Sequence, residues 1–89
     1  SIFLLSPGDL LKVANDTAVD IKAAAGELSV SSPGEAAVRR LRPGAVARVQ
    51  AKATAMVLAL TESRVEFPEA ARVVYTLWRS GELPARGQA

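Results

Sequence analysis

The chain has 89 residues, of which 49% are hydrophobic and only 4% aromatic, and its formal net charge at pH 7 is +2. This length predicts a single domain, 1–89, whose core is filled mainly by Ala, Val and Leu. The sequence has no Cys and no His, which excludes disulfides, thiol catalysis and metal centres built on those residues. It also has no Gly-rich phosphate loop and no nucleophile elbow. We therefore expect a protein that is not an enzyme and that uses no cofactor and no metal.

Two apolar segments bear on where the protein resides. Residues 2–5 are too few for the apolar region of a secretory signal, and Pro7 and Gly8 follow closely. The apolar run 53–60 is much shorter than the roughly 20 residues that cross a bilayer. The sequence therefore predicts a soluble, cytoplasmic protein without membrane contact. Its Ala- and Arg-rich, Lys-poor composition is typical of a bacterial or phage protein.

A first amphipathic helix is predicted over residues 7–25. Ser6 is a favourable N-cap, Pro7 suits the first helical position, and Gly26 can adopt the left-handed conformation that ends a helix. The residues of one helical face recur at steps of three and four: Leu10, Ala14, Thr17, Ile21, Ala24 and Leu28. This spacing is typical of an apolar helix face that packs against a core.

A second, shorter helix is predicted over residues 33–41. The start signal returns at 32–35, which reads Ser-Pro-Gly-Glu, and the acidic residue complements the positive end of a helix dipole. Pro43 disfavours helical backbone at the preceding residue and, with Gly44, interrupts the pattern. We therefore expect a break at this point and a new helix after it.

A third helix is predicted over residues 44–64, although this segment also alternates like a strand. At helical spacing its larger side chains share one face: Val46, Val49, Met56, Val57 and Leu60. Ala occupies many of the other positions, and Ala is the best helix former but is depleted in strands. We expect a helix for these reasons, and a strand over 45–60 remains the alternative.

A fourth helix is predicted over residues 68–80. Pro68 suits its first turn, Gly81 supplies its end, and Pro84 prevents continuation. Residues 85–89 have nothing to bury, so they are expected to form a frayed tail. Together these elements predict an all-α fold, a small bundle of about four helices. Because Ala side chains bury little apolar area, we expect oligomerisation to complete the core.

The segment 74–85 reads VYTLWRSGELPA. It resembles the end of the recognition helix in excisionase-type DNA-binding proteins, in which a similar Tyr, Leu and Arg run passes through Gly-Glu-Leu-Pro into a wing. The resemblance covers these twelve residues and implies a DNA-contacting helix. That family also has a first helix and a turn directly upstream, and a wing downstream, and neither has a counterpart in this sequence. A helix that ends at the Gly81 cap accounts for the same residues.

Positive charge is concentrated in the middle of the chain. Residues 1–27 carry a net charge of −2, and residues 28–52 carry a net charge of +4. Because Arg and Lys side chains bind phosphates, the candidate phosphate-binding residues are Arg39, Arg40, Arg42, Arg48 and Lys52. The alternative is that these side chains only lie on solvated helix faces and complement a helix dipole. A regulator that binds nucleic acid is therefore the second functional hypothesis.

Residues 1–5 form a candidate apolar arm ahead of the first helix. Consecutive large hydrophobic side chains must cover the protein's own core or that of a neighbouring subunit. The candidate interface residues come from this arm, from the third helix and from one aromatic anchor: Ile2, Phe3, Leu4, Leu5, Val46, Val49, Met56, Leu60 and Trp78. The leading hypothesis is a non-catalytic interaction or assembly component that forms homo-oligomers and binds another protein.

Overall fold

The computed structural model describes residues 1–32, 37–68 and 72–82. These residues form nine β-strands and one short 3-10 helix, η1. The strands are β1 (Ile2–Leu5), β2 (Leu10–Asn15), β3 (Val19–Ala25), β4 (Leu28–Ser31), β5 (Arg39–Leu41), β6 (Val46–Val49), β7 (Thr54–Ala59), β8 (Ser63–Glu66) and β9 (Val73–Trp78), and η1 is Ser80–Glu82.

The strands form two antiparallel sheets that pack face to face. The four-stranded sheet has the order β1-β8-β3-β6, and the five-stranded sheet has the order β5-β4-β7-β2-β9. The first eight strands pair as in one long hairpin whose bend lies between β4 and β5: the pairs are β1–β8, β2–β7, β3–β6 and β4–β5. The hairpin is rolled up so that its strands divide between the two sheets. This is the strand order of a jelly roll. Strand β9 extends it by pairing with the other side of β2.

The hydrophobic core lies between the two sheets and follows the alternation of the strands. In β2, β3 and β7 every second residue is buried, as expected when one face of a sheet packs on a core. The largest fully buried hydrophobic side chains come from both sheets: Phe67, Leu5, Leu11, Ile21, Leu28, Val13, Val57 and Val65. Their burial, which contributes roughly 25 cal/mol per Å² of apolar surface, holds the sheets together.

The prediction of an all-α helical bundle is wrong. Residues 7–25 contain a turn followed by β2 and β3, and residues 44–64 contain β6, β7 and the start of β8. The described parts of the predicted helices 33–41 and 68–80 contain β5 and β9. The apolar side chains that were assigned to helix faces instead alternate between the inner and outer faces of the sheets.

Some of the predictions fall on residues that the structure does not describe. These are the starts of the second and fourth predicted helices, at 33–36 and 69–71, and the predicted frayed tail, 85–89. In the described part of the chain, η1 is the single helical element. No helix there is long and apolar enough to cross a bilayer.

Two of the Pro-Gly pairs that suggested helix starts form β-turns instead. In the turn 6–9 the Asp9 N–H donates to the Ser6 carbonyl oxygen at 3.0 Å. In the turn 42–45 the Ala45 N–H donates to the Arg42 carbonyl oxygen at 2.9 Å. Gly8 and Gly44 both have a φ of 89°. A turn with Pro second and a left-handed Gly third is type II, and it reverses the chain where a helix would continue it. The third Pro-Gly pair, at 33–34, lies outside the described residues.

The segment 44–64 forms strands even though it is rich in Ala. Strands β6 and β7 bury small side chains between the sheets: Ala47 and Val49 from β6, and Ala55, Val57 and Ala59 from β7. In a strand, pairing with neighbours and burial of one face outweigh intrinsic propensity. The strands are separated by the turn 50–53, in which the Ala53 N–H donates to the Gln50 carbonyl oxygen at 3.3 Å.

Candidate interaction surfaces

The edges of the two sheets meet on two opposite flanks of the sandwich. On one flank β1 and β9 lie together, because the ring centroids of Phe3 and Tyr75 are 4.8 Å apart and Arg79 Nη1 donates to the Leu4 carbonyl oxygen at 2.9 Å. On the other flank the edge strands are β5 and β6. We call them the apolar flank (β1 and β9) and the basic flank (β5 and β6) after the side chains that they expose.

The apolar flank carries three of the six large hydrophobic side chains that are exposed in the described residues. Ile2 and Leu4 of β1 are 56% and 68% exposed, and Val74 of β9 is 65% exposed. Trp78 lies at the end of β9 and is half-buried. Ile2 and Leu4 lie on the outer face of the four-stranded sheet, and Val74 lies on the outer face of the five-stranded sheet. The flank therefore exposes apolar side chains on both faces of the sandwich, and such exposure indicates an interaction surface.

Three of the four aromatic residues pack together behind these exposed side chains. The ring centroids of Phe3, Phe67 and Tyr75 are 4.8 to 5.8 Å apart, with tilted or T-shaped geometry. Phe67 is fully buried, and the Tyr75 hydroxyl is buried without a hydrogen-bond partner in the described part of the chain. Since Phe3 and Tyr75 belong to different sheets, the cluster packs β1 against β9.

A buried carboxylate fixes the end of β9 against the beginning of the chain. Asp9 is 2% exposed, and its Oδ2 accepts hydrogen bonds from the Ser6 N–H at 2.9 Å and from Arg79 Nη1 at 2.8 Å. Its Oδ1 accepts one from the Ser80 N–H at 2.8 Å. These hydrogen bonds lower the pKa of Asp9; the largest contribution comes from the Ser6 N–H, followed by the Arg79 side chain and the Ser80 N–H. Burial of the carboxylate acts in the opposite direction. The ionised carboxylate therefore ties η1 to the turn 6–9.

Strand β9 is an edge strand without the usual protection. Its one partner among the described strands is β2, and its sequence, VVYTLW, contains no charged residue and no proline. Edge strands commonly carry such residues, because a free edge pairs readily with other strands. The other edges are protected: β5 contains two arginines, β6 contains Arg48, and the Leu4 carbonyl of β1 is bonded to Arg79. Of the four edges, β9 is therefore the best suited to pair with another chain.

Four of the five candidate phosphate-binding residues lie on the basic flank. Arg39, Arg40 and Arg42 are exposed in or directly after β5, and Arg48 is exposed in β6. Arg39 and Arg48 line the same narrow cavity, which has a volume of about 50 Å³. The structure therefore brings together side chains from two segments that the sequence separates by a turn.

Ion pairs neutralise two of these arginines. Arg40 Nε lies 3.0 Å from a carboxylate oxygen of Glu27, and Arg48 Nε lies 3.1 Å from one of Asp20. The other two arginines of the basic flank form no ion pair within the described residues. Lys52, the fifth candidate, lies in the turn 50–53 and lines a different depression.

The predicted interface residues do not form one surface. They divide among the apolar flank (Ile2, Phe3, Leu4, Trp78), the core (Leu5, Val49) and three separate surface positions (Val46, Met56, Leu60). Residues 2–5 form β1, which pairs with β8 of the same chain. Val74, the exposed large hydrophobic residue of the unprotected edge, was not among the predicted interface residues. The available signal was the run 73–78, because aromatic and β-branched residues favour strands.

Similarity to known proteins does not assign a family. The segment that resembles an excisionase recognition helix is, as far as the structure describes it, strand β9 followed by η1. No group of three acidic side chains in the described ranges is placed to hold a metal ion. Comparisons with protein-family models and with curated proteins find no match for this chain.

Proposed function

We propose that this protein is a non-catalytic interaction module that forms a homodimer through its apolar flank and presents its other faces to another protein. The observation that carries the proposal is the edge strand β9, which is six residues long, uncharged and unprotected, with Val74 65% exposed. A free edge of this kind supports the addition of a further strand through main-chain hydrogen bonds. Its proposed compartment is the cytoplasm, which fractionation of expressing cells would test.

A second copy of the chain fits this edge because β9 is self-complementary. In an antiparallel pair, residues directly opposite each other have side chains on the same face of the sheet. With Thr76 on a two-fold axis, Val74 lies opposite Trp78 of the second copy, and Tyr75 lies opposite its Leu77. Aromatic residues opposite aliphatic ones, and Thr opposite Thr, are favourable cross-strand pairs.

The distribution of charge also favours contact between two apolar flanks. Two copies that met through their basic flanks would bring arginines together, whereas β9 places no charged side chain at the contact. Pairing would cover Val74, which is exposed in the single chain. An isologous contact of this kind closes after two copies and does not continue into a fibre.

Sedimentation velocity at high micromolar concentration tests the proposal. We expect the unmodified protein to sediment as a dimer and the Thr76→Lys variant as a monomer, because two ammonium groups would then face each other on the two-fold axis. Thr76 is exposed, so the substitution leaves the core intact. A matched control is Thr54→Lys, which introduces the same charge in β7 away from the edge.

The control separates edge pairing from a general effect of charge. Thr54→Lys is expected to remain dimeric. A monomeric unmodified protein would refute the proposal, and so would a Thr76→Lys variant that remained a dimer.

The basic flank supports a second candidate function, binding of nucleic acid. The specific observation is that Arg39 and Arg42 are exposed and form no ion pair in the described part of the chain. Binding through phosphates weakens steeply as salt increases, with a slope set by the number of phosphates contacted. An electrophoretic retardation assay at low salt should therefore show binding that is lost in an Arg39→Ala/Arg42→Ala double variant. Absence of retardation at low salt would eliminate this candidate.

A further inference from the structure

A depression at the end of the five-stranded sheet brings two basic side chains together from distant parts of the sequence. It lies between the turn 50–53 and the start of β9 and has a volume of about 300 Å³. Lys52 and Arg72 both line it, together with Asn15, Asp16 and Thr54. It is separate from the basic flank but adjoins the edge strand β9, because Val74 also lines it.

The backbone at both basic residues is held in an unfavourable conformation. Lys52 has a φ of 61° and Arg72 a φ of 57°, and the other left-handed residues in the described ranges are glycines. A Cβ makes the left-handed conformation costly, and Lys and Arg lack the short polar side chains that make it tolerable for Asn and Asp. Strain of this kind is retained where the side chain has a use in that position.

The turns of this chain provide an internal comparison for Lys52. The turns 6–9 and 42–45 are closed by the same hydrogen bond as the turn 50–53, and both have glycine as the left-handed third residue. Lys52 takes that place in the turn 50–53. Since glycine satisfies the same backbone geometry without strain, turn formation alone does not account for a lysine here.

The two basic side chains that line the depression are free of ion-pair partners within the described residues. Four other arginines form ion pairs, whereas neither Lys52 nor Arg72 forms an ion pair or a side-chain hydrogen bond within the described residues. Asn15 is 5% exposed, and its Nδ2 donates to the carbonyl oxygens of Thr17 and Gln50. Its Oδ1 is buried and has no hydrogen-bond partner among the residues that the structure describes. Two unpaired cations that line one depression provide charge-assisted donors for an anionic ligand.

We propose that this depression binds an oxyanion, a carboxylate or a phosphate, between the Lys52 ammonium and the Arg72 guanidinium. Both groups donate charge-assisted hydrogen bonds to such oxygens, and the guanidinium does so in bidentate fashion. Asp16 lines the same depression and leaves it with one net positive charge, so it weakens binding of the anion.

Amide NMR spectra recorded during titration test the proposal. The probes are sodium acetate and sodium phosphate, added at constant ionic strength with chloride as the reference anion. We expect saturable shifts at the amides of Lys52, Ala53, Arg72 and Val73 with at least one of the two probes. Acetate alone would identify a carboxylate ligand, and phosphate alone would identify a phosphorylated one. Absence of saturable shifts with both probes would overturn the proposal.

Substitutions of Lys52 separate binding from a structural role. In Lys52→Gly the strain is relieved, so we expect a higher melting temperature together with loss of the anion-dependent shifts. Lys52→Asn should behave in the same way, because Asn tolerates the left-handed conformation. A Lys52 variant that is less stable than the unmodified protein, or that keeps the shifts, would contradict the inference.

Two further variants serve as controls for charge. Asp16→Asn removes the repulsive carboxylate and is expected to tighten binding of the anion. Lys12→Gln removes a cation from the middle of β2 and should leave the shifts unchanged. If Lys12→Gln weakened binding as much as Lys52→Gly, the anion would be responding to net charge and the depression would not be its site.

Discussion

Of the glycines in the described residues, Gly26 has the least room for a side chain. Its φ is 75°, and a Cβ at this position would lie 2.1 Å from the Glu62 carbonyl oxygen and 2.5 Å from Ser63 Oγ. Both the left-handed backbone and the collision with a backbone oxygen oppose any side chain. We therefore expect Gly26→Ala to lower the free energy of unfolding by at least about 2 kcal/mol, measured by urea denaturation.

Gly44 is the matched control for this prediction. Its φ is 89°, also left-handed, but a Cβ there would have no heavy atom within 4 Å. Gly44→Ala should therefore cost only the conformational part, about 1 to 2 kcal/mol. Equal losses in the two variants would mean that the close approach at Gly26 has no energetic effect.

The buried carboxylate of Asp9 predicts a dependence of stability on pH. Hydrogen bonds from Ser6, Arg79 and Ser80 lower its pKa below the ordinary value of 3.8. A group with a lowered folded pKa contributes its stability above the ordinary value and loses it as the pH falls through the folded value. We expect Asp9→Asn to be less stable than the unmodified protein at pH 7, and this difference to shrink below pH 3.8. Urea denaturation at neutral and acidic pH measures it.

Asp16→Asn controls for the loss of any carboxylate. Asp16 is exposed and forms no ion pair within the described residues, so its substitution should change stability little at either pH. A difference for Asp9→Asn that stayed constant down to acidic pH would show that the effect comes from packing and not from the charge.

At the scale of the element, residues 45–60 carry both a strand pattern, which is correct, and a helix pattern, which was preferred. Strand alternation was recognised over 45–60, but the high helix propensity of Ala outweighed it. Propensity failed because Ala in β6 and β7 is paired and buried, which a single sequence does not show. The Pro-Gly pairs at 7–8 and 43–44 were interpreted as helix starts, but they form the turns that separate strands. Pro suits both a helix start and the second position of a turn, but Gly directly after it favours the turn.

The aromatic cluster that joins the two sheets makes a prediction at the same scale. Phe67 is 1% exposed and packs against Phe3 and Tyr75. Phe67→Ala should therefore cost about 3 to 5 kcal/mol of unfolding free energy, a large part of the stability of a small domain. Phe3→Ala should cost less unfolding free energy, because Phe3 is only half-buried and its removal loses less buried surface. Thermal and urea unfolding would measure both, and a larger loss at Phe3 would contradict this description of the cluster.

At the scale of the whole molecule, the asymmetry between the two flanks was only partly predictable. Composition and charge located the arginines of the basic flank, and the apolar run 2–5 was expected to cover either the protein's own core or a neighbouring subunit. Neither observation indicated that β1 would lie beside β9. These two strands are far apart in sequence, and they meet because the long hairpin is rolled into two sheets. Val74 and Arg72 were therefore missed, although each is central to one proposed site.

The separation of the flanks predicts that self-association responds to salt differently from any binding of nucleic acid. The proposed dimer contact in β9 contains no charged side chain, so raising NaCl from about 0.05 to about 0.5 M should leave the dimer intact, because screening acts on charges alone. The Arg39→Ala/Arg42→Ala variant should also remain dimeric, because both residues lie on the opposite flank. Sedimentation equilibrium across this salt range measures both effects. Dissociation at high salt, or in the double variant, would place the contact on the basic flank instead.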